Sequence, residues 1–337
     1  MTTRIGIMGF GRIGRNIFRI LHNQDDIEVA AISDIAEAKA MVYLLKYDTV
    51  HGRFPDPVNT KGDHIYVKGK QIRFFQAKEP GEVSWRDAGV DIVIEATAKY
   101  RTRAWLEKHL EKGARRVILT APPLDAIDAT IIRGVNDDQL TSDDRLISTS
   151  SITANCLALM LKILHTAFGV ERAFMTTVHA YTNDQRLADV PHTDLRRSRS
   201  APENIIPTDT GVPHAVEKIL TELKGRLDGM AMNVPVADGS NVDLVAETTR
   251  PISVESVNEV VRSAAESQYR NIVAYTDDPI VSSDVIGDSH SAIFDSLATQ
   301  ALGDRLVKTI SWFDNGWGYA HRIVEIVQTL AAFDRKR

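Results

Sequence analysis

Through the first 150 residues, apolar runs of strand length alternate with stretches whose apolar positions recur at helical spacing. Residues 4–8 (RIGIM) read as a strand, and Ile13, Ile17, Phe18 and Leu21 repeat at helical spacing just after it. Residues 27–32 form a second strand that ends at Ser33 and Asp34, residues 90–96 a third, and residues 116–120 another. Between the last two, Trp105, Leu106, His109 and Leu110 mark a helix closed by Gly113. Strands alternating with helices in this order specify an α/β fold, a doubly wound parallel sheet flanked by helices.

After residues 146–148 the pattern changes. A long helical run over 153–168 is followed by strands at 172–179, 230–236, 242–247, 272–276 and 307–313, separated by long loops and by helices near 211–224 and 254–267. Ser253 is placed to cap the last of these helices. Such uneven connections predict a mixed or antiparallel sheet, hence a second, α+β domain from about residue 151. Residues 323–333 return to helical spacing. No internal repeat or low-complexity stretch is present.

Composition narrows the function. A chain of 337 residues accommodates about two domains, and 43% hydrophobic with 25% charged residues is ordinary for a soluble globular protein. No apolar run approaches the roughly 18 residues of a membrane span, and glycines break the N-terminal stretch MTTRIGIMGFGRIGR where a signal peptide needs a continuous apolar core. A net charge of −5 argues against nucleic acid as a partner. The single cysteine, Cys156, excludes a disulfide within the chain and fits a cytoplasmic location. The ten histidines are scattered without metal-ligand spacing, so no metal is expected.

Gly9-Phe10-Gly11-Arg12-Ile13-Gly14 fits G-x-G-x-x-G, directly after a predicted strand and opening a predicted helix. Gly9 permits the tight turn, Gly11 lets a pyrophosphate approach the backbone, and Gly14 lets helix and strand pack closely. The helix N-terminus offers unpaired N–H groups to the anion. Asp34 follows Gly14 by twenty residues at the end of the second strand, where its carboxylate can accept from a ribose diol and would repel a 2′-phosphate. The expected cofactor is NAD rather than NADP.

Five segments occur in order along the chain: GFGRIGR, LLKYDTVHGRF at 44–54, TVHAYT at 177–182, NIIPTDTG at 204–211 and WFDNGWGY at 312–319. With them the sequence resembles the glyceraldehyde-3-phosphate dehydrogenases from end to end. The resemblance implies a Rossmann-type NAD-binding domain over 1–150 and a catalytic domain over 151–315. It also implies a C-terminal helix within 316–337 that packs back on the first domain, and a homotetramer. Further cofactor contacts are implied for Arg12, Ile13, Thr97, Thr120 and Tyr319, with Asn315 orienting the nicotinamide carboxamide. His179 matches the family's base. Thr182 and Arg199 match residues that hold the substrate's phosphate, and Ser151, Thr153, Thr210 and Gly211 match an inorganic-phosphate site.

The resemblance fails where the chemistry is. The family's nucleophile lies in a motif of the form S-C-T-T-N-C, and here the stretch is Ser151-Ile152-Thr153-Ala154-Asn155-Cys156. A hydrocarbon at residue 152 cannot form a thiohemiacetal or a thioester. Cys156 matches the family's second, non-catalytic cysteine and is expected to be a small buried hydrophobe. Asn233, in MAMNVP, stands where the family has a phosphate-binding arginine, so phosphate affinity should fall. Met8, Ser33, Ala98 and Gly316 also depart from the family pattern. Two functions follow: an NAD-dependent oxidoreductase acting on a small, phosphorylated aldehyde or alcohol without a covalent intermediate, or an inactive relative that binds NAD or a sugar phosphate as a sensor or subunit. A third reading, an introduced substitution at residue 152, leaves Asn233 unexplained.

Overall fold

In the computed structural model, which describes residues 2–335, the first unit runs β1 (Thr3–Met8), α1 (Arg12–Leu21), β2 (Ile27–Asp34), α2 (Ala38–Lys46) and the short pair β3 (Tyr47–Asp48) and β4 (Gly52–Arg53). It continues through β5 (Val58–Lys61), β6 (His64–Val67), β7 (Lys70–Gln76), β8 (Ile92–Glu95), α3 (Arg103–Glu111), β9 (Arg116–Leu119), β10 (Ala129–Thr130) and β11 (Leu146–Ser148). The sheet order is β10-β11-β9-β8-β1-β2-β7-β6-β5. From β10 to β7 every pair is parallel, as the alternating pattern predicts. The edge is different: β5, β6 and β7 form an antiparallel meander that the apolar pattern did not show. Its tight turns need left-handed backbone, supplied by Gly62 (φ +59°) and by Lys68 and Gly69 (φ +51° and +79°). The chain leaves β1 toward β2 on one side and resumes with β8 on the other, so the order reverses between β1 and β8. In open α/β sheets, ligands bind outside the carboxyl ends of strands at such a point.

The second unit holds α4 (Ile152–Phe168), β12 (Val170–Ala180), β13 (Ile206–Thr208), α5 (Val212–Glu217), β14 (Leu227–Val234), β15 (Ser240–Thr248), α6 (Val254–Glu266), β16 (Val273–Thr276), β17 (Ala292–Leu302) and β18 (Leu306–Phe313). Its sheet, in the order β13-β14-β12-β15-β18-β17-β16, is mixed: β12 with β14 and β16 with β17 are parallel, the other pairs antiparallel. Alternation along β12 buries Ala173, Met175 and Thr177 on one face and leaves Arg172 and Phe174 exposed on the other. Over the buried face lies α4, apolar on nearly every side, as a helix at the centre of a core must be. Ser253 caps α6 in a reciprocal pair: its hydroxyl accepts from Ser256 N–H at 3.2 Å, and Ser256 Oγ accepts from Ser253 N–H at 2.8 Å. The last helix, α7 (Trp317–Arg335), groups with the second unit through Tyr319 and with the first from Ala320 onward.

Candidate active site and dinucleotide-binding loop

At the carboxyl end of β1 the three glycines have three separate physical reasons. Gly9 has φ +90°, and a Cβ on it would lie 2.8 Å from the backbone of Ala96 and Thr97. A Cβ on Gly14 would lie 2.2 Å from the Gly9 carbonyl oxygen, so α1 can start this close to the loop only with glycine there. Gly11, the residue before α1, faces open space, with nothing within 4 Å of a built Cβ. That opening, beside the N-terminus of a ten-residue helix, whose first N–H groups have no acceptor within the helix itself, suits a pyrophosphate. Asp34 ends β2 and braces the loop, accepting from Phe10 N–H at 2.8 Å through Oδ2 and from Ala36 N–H at 3.0 Å through Oδ1. Each oxygen keeps a lone pair for a ribose diol. The residues therefore fit a dinucleotide.

After β8 the chain turns through Thr97 and Ala98, and Ala98 holds φ +55°, a left-handed conformation that favours the glycine usual in the resembled family. Thr97 donates to Glu95 Oε1 through both its N–H (2.8 Å) and its hydroxyl, and Thr120, after β9, donates to the Glu95 carbonyl through N–H (3.0 Å) and hydroxyl (3.2 Å). Arg12 and Ile13 lie half-buried in the first turn of α1, and Tyr319 is buried in the first turn of α7.

In the second unit, parallel pairing of β12 with β14 sets His179 directly beside Asn233. The His179 ring is oriented by its neighbours. Nδ1 donates to the Ala180 carbonyl at 2.7 Å, and Phe313 meets the imidazole edge-on at 6.2 Å. Ser240 Oγ accepts from Ala180 N–H at 2.9 Å, which leaves its hydroxyl to donate to Asn315 Oδ1 at 2.7 Å. The Asn315 amide is thereby oriented, its Nδ2 lying 3.4 Å from His179 Nδ1, and its backbone N–H donates to Asp238 Oδ1 at 2.7 Å. With the Nδ1 proton held by Ala180, Nε2 carries the lone pair and is the basic nitrogen.

Ile152 is the first residue of α4 and is half-buried, following Ser150 at φ +58° and the half-buried Ser151; Thr153 is buried in the same turn. Cys156 lies one turn deeper at 0% exposure, its thiol 3.8 Å from the Ser311 carbonyl. Burial pushes that thiol well above the ordinary cysteine range, and it has no thiolate character. Asn233 is only 6% exposed.

The other anion residues are engaged with protein groups. Thr182 N–H and hydroxyl donate to Gln185 Oε1 at 2.6 and 3.2 Å. The Arg199 guanidinium, 62% exposed, donates to Asp189 at 3.1 Å. Two residues before Arg199, the Arg197 guanidinium donates to Thr208 Oγ1 at 2.9 Å beside Asp194. Thr210 Oγ1 accepts from Val212 N–H at 3.3 Å, and Gly211 is exposed at the start of the six-residue α5. Sequence reasoning brought His179 and Asn315 into one cluster but missed Ser240 and Asp238, which orient them. Their only sequence signal is the polar run ADGSN between two strands.

A doubly wound sheet with this glycine loop, joined to a mixed-sheet unit bearing an oriented histidine and asparagine, defines an NAD-binding dehydrogenase. The family model "Glyceraldehyde 3-phosphate dehydrogenase, NAD binding domain" matches residues 3–103, and "Glyceraldehyde 3-phosphate dehydrogenase, C-terminal domain" matches residues 151–315. The chain is 46% identical over 333 residues to a glyceraldehyde-3-phosphate dehydrogenase of Geobacillus stearothermophilus, covering 98% of this chain and 99% of the relative. It is 47% identical over 328 residues to glyceraldehyde-3-phosphate dehydrogenase 2 of Streptomyces avermitilis (97% and 98%), and 46% identical over 334 residues to the Mycobacterium avium enzyme (97% and 98%). The chain belongs to the glyceraldehyde-3-phosphate dehydrogenase family. Among the described residues no helix is long and apolar enough to cross a membrane.

Proposed function

We propose that this chain is an NAD-dependent oxidoreductase that oxidises a small phosphorylated aldehyde, as its hydrate, or the corresponding alcohol, without an acyl-enzyme. The observation that carries the reading is the proton order at His179, where the Ala180 carbonyl holds the Nδ1 proton and Nε2 is left as acceptor. His179 Nε2 takes the hydroxyl proton of the hydrate as the C–H bond breaks and the new carbonyl forms, so the product is a free acid and inorganic phosphate has no role. NAD, when bound, accepts the hydride. Asn315 orients the carboxamide, and Ile152 adds apolar surface in place of a nucleophile. The carboxylate of Asp34 favours NAD over NADP. Membership of the glyceraldehyde-3-phosphate dehydrogenase family supports a homotetramer, and a chain whose one cysteine is a buried free thiol supports a cytoplasmic setting.

The engagement of Arg199 with Asp189 and the neutral Asn233 favour a second reading, a relative that binds nucleotide without turning it over. NADH formation from phosphorylated aldehydes and alcohols, with and without inorganic phosphate, separates the two. The expected result is phosphate-independent NADH from the native chain, lost in His179→Ala. Turnover only in Ile152→Cys, together with calorimetric NAD binding by the native chain, establishes the second reading instead.

A further inference from the structure

Beneath the Thr97–Ala98 turn lies a buried polar chain that neither the glycine motif nor His179 chemistry accounts for. Trp85, His109 and Glu95 are each 0% exposed. The Trp85 indole N–H, which can only donate, lies 2.9 Å from His109 Nδ1, so Nδ1 must be the acceptor nitrogen. The ring proton therefore sits on Nε2, which donates to Glu95 Oε2 at 3.1 Å. The other carboxylate oxygen, Oε1, accepts from the Thr97 N–H and hydroxyl. Trp85 is itself fixed in place: a Cβ on Gly6 of β1 would stand 2.7 Å from its ring, so the indole lies flush against the strand that leads into the glycine loop.

The chain of bonds ends at the ligand crevice. Glu95 pairs in register with Met8 at the carboxyl ends of β8 and β1, the two strands between which the sheet order reverses. The turn that Glu95 holds presses on Gly9, and its next residue, Ala98, is in a conformation unfavourable for any side chain. Buried carboxyl oxygens need hydrogen-bond partners, and His109 supplies the one to Oε2.

We propose that His109 is a positioning residue for the cofactor. Held by Trp85 in the tautomer with the proton on Nε2, it fixes the Glu95 carboxylate, which in turn fixes Thr97 and the turn facing the dinucleotide. This rests on the reading of Thr97 as a cofactor contact, while the order of the turn is measurable in the cofactor-free chain.

The test compares His109→Phe, which keeps a ring and removes both bonds, with His109→Gln, whose amide can accept from Trp85 and donate to Glu95. NAD affinity by calorimetry and hydrogen exchange of the cofactor-free protein at Thr97 and at Lys99, whose N–H donates to Thr97 Oγ1 at 3.1 Å, are the readouts. His109→Phe is expected to weaken NAD binding about tenfold, the equivalent of one hydrogen bond to a charged group, and to speed exchange at both amides. His109→Gln is expected to restore both. Nitrogen-15 spectroscopy of the native imidazole is expected to show Nδ1 without its proton. The proposal is overturned if folded His109→Phe binds NAD like the native chain with unchanged exchange, or if the native ring carries its proton on Nδ1. Where His109→Phe does not fold, Glu95→Gln decides: with one acceptor oxygen in place of two, the amide must either present its NH2 to His109 and turn the ring to the other tautomer, or present it to Thr97 and release the turn, and an unchanged imidazole spectrum with unchanged exchange would refute the scheme. Loss of NAD binding in every variant with the turn still ordered would instead count against Thr97 as a cofactor contact.

Discussion

Asn233 sits beside His179 with an amide that can donate and accept but cannot neutralise charge. An arginine at this position would add a bidentate, charge-assisted contact to a phosphate oxygen pair. Asn233→Arg is therefore expected to lower KM for a phosphorylated substrate by about tenfold or more, while the KM for its unphosphorylated counterpart stays unchanged. Steady-state kinetics on the matched pair reads the difference, and equal KM changes for both substrates would remove Asn233 from the phosphate's surroundings. At this scale the sequence was informative wherever a motif flanked the residue: Ile152 and Asn233 both stood out against intact neighbours. It was silent on the partners of Thr182 and Arg199, because Gln185 and Asp189 are reached by loop folding and leave no spacing rule.

Among the elements, the turn from β1 into α1 depends most on one atom. Gly14→Ala places a methyl 2.2 Å from the Gly9 carbonyl oxygen, where only backbone can move. The expected cost is about 3 kcal/mol in urea unfolding, with NAD binding lost beyond the detection of calorimetry. A variant as stable as the native chain would show that α1 can shift without consequence. The same turn was legible beforehand because strand, glycines and helix each carry their own local signature. β5 and β6 were not legible: each is only four residues long, and β5 pairs with β6, which in turn pairs with β7. β17 hid for another reason. Its pairing with β18 shifts register between Asp295 and Gln300, and that irregularity breaks the two-residue alternation by which a strand is recognised.

At the scale of the molecule, the core of the second unit encloses the only thiol, and that has a titration signature. In the unfolded chain a cysteine ionises near pH 8.5, about the ordinary value. In the folded chain burial keeps the Cys156 thiol protonated far beyond that. From about pH 8.5 upward the unfolded state thus binds fewer protons, and folding stability falls as pH rises, by up to about 1.4 kcal/mol per pH unit. Urea unfolding of the native chain between about pH 8 and 10 is expected to show this decline, and Cys156→Ala to lack the cysteine's share of it. Identical slopes for the two proteins would mean that the thiol is accessible in the folded state. The mixed character of the second sheet followed from the uneven connections after residue 151, whereas β17 within it was not revealed by alternation.

The burial of Cys156 against Ser311 also sets how this protein meets oxidative stress. Sulfenic acid formation, glutathione capping and alkylation by electrophiles all begin with an accessible thiolate, and among the described residues the folded chain presents none. With a hydrocarbon at residue 152, peroxide finds no sulfur nucleophile at the head of α4 to convert. A chain whose α4 starts at Ile152 and whose one cysteine is buried thereby offers cysteine-directed inactivators no thiolate to reach while it stays folded.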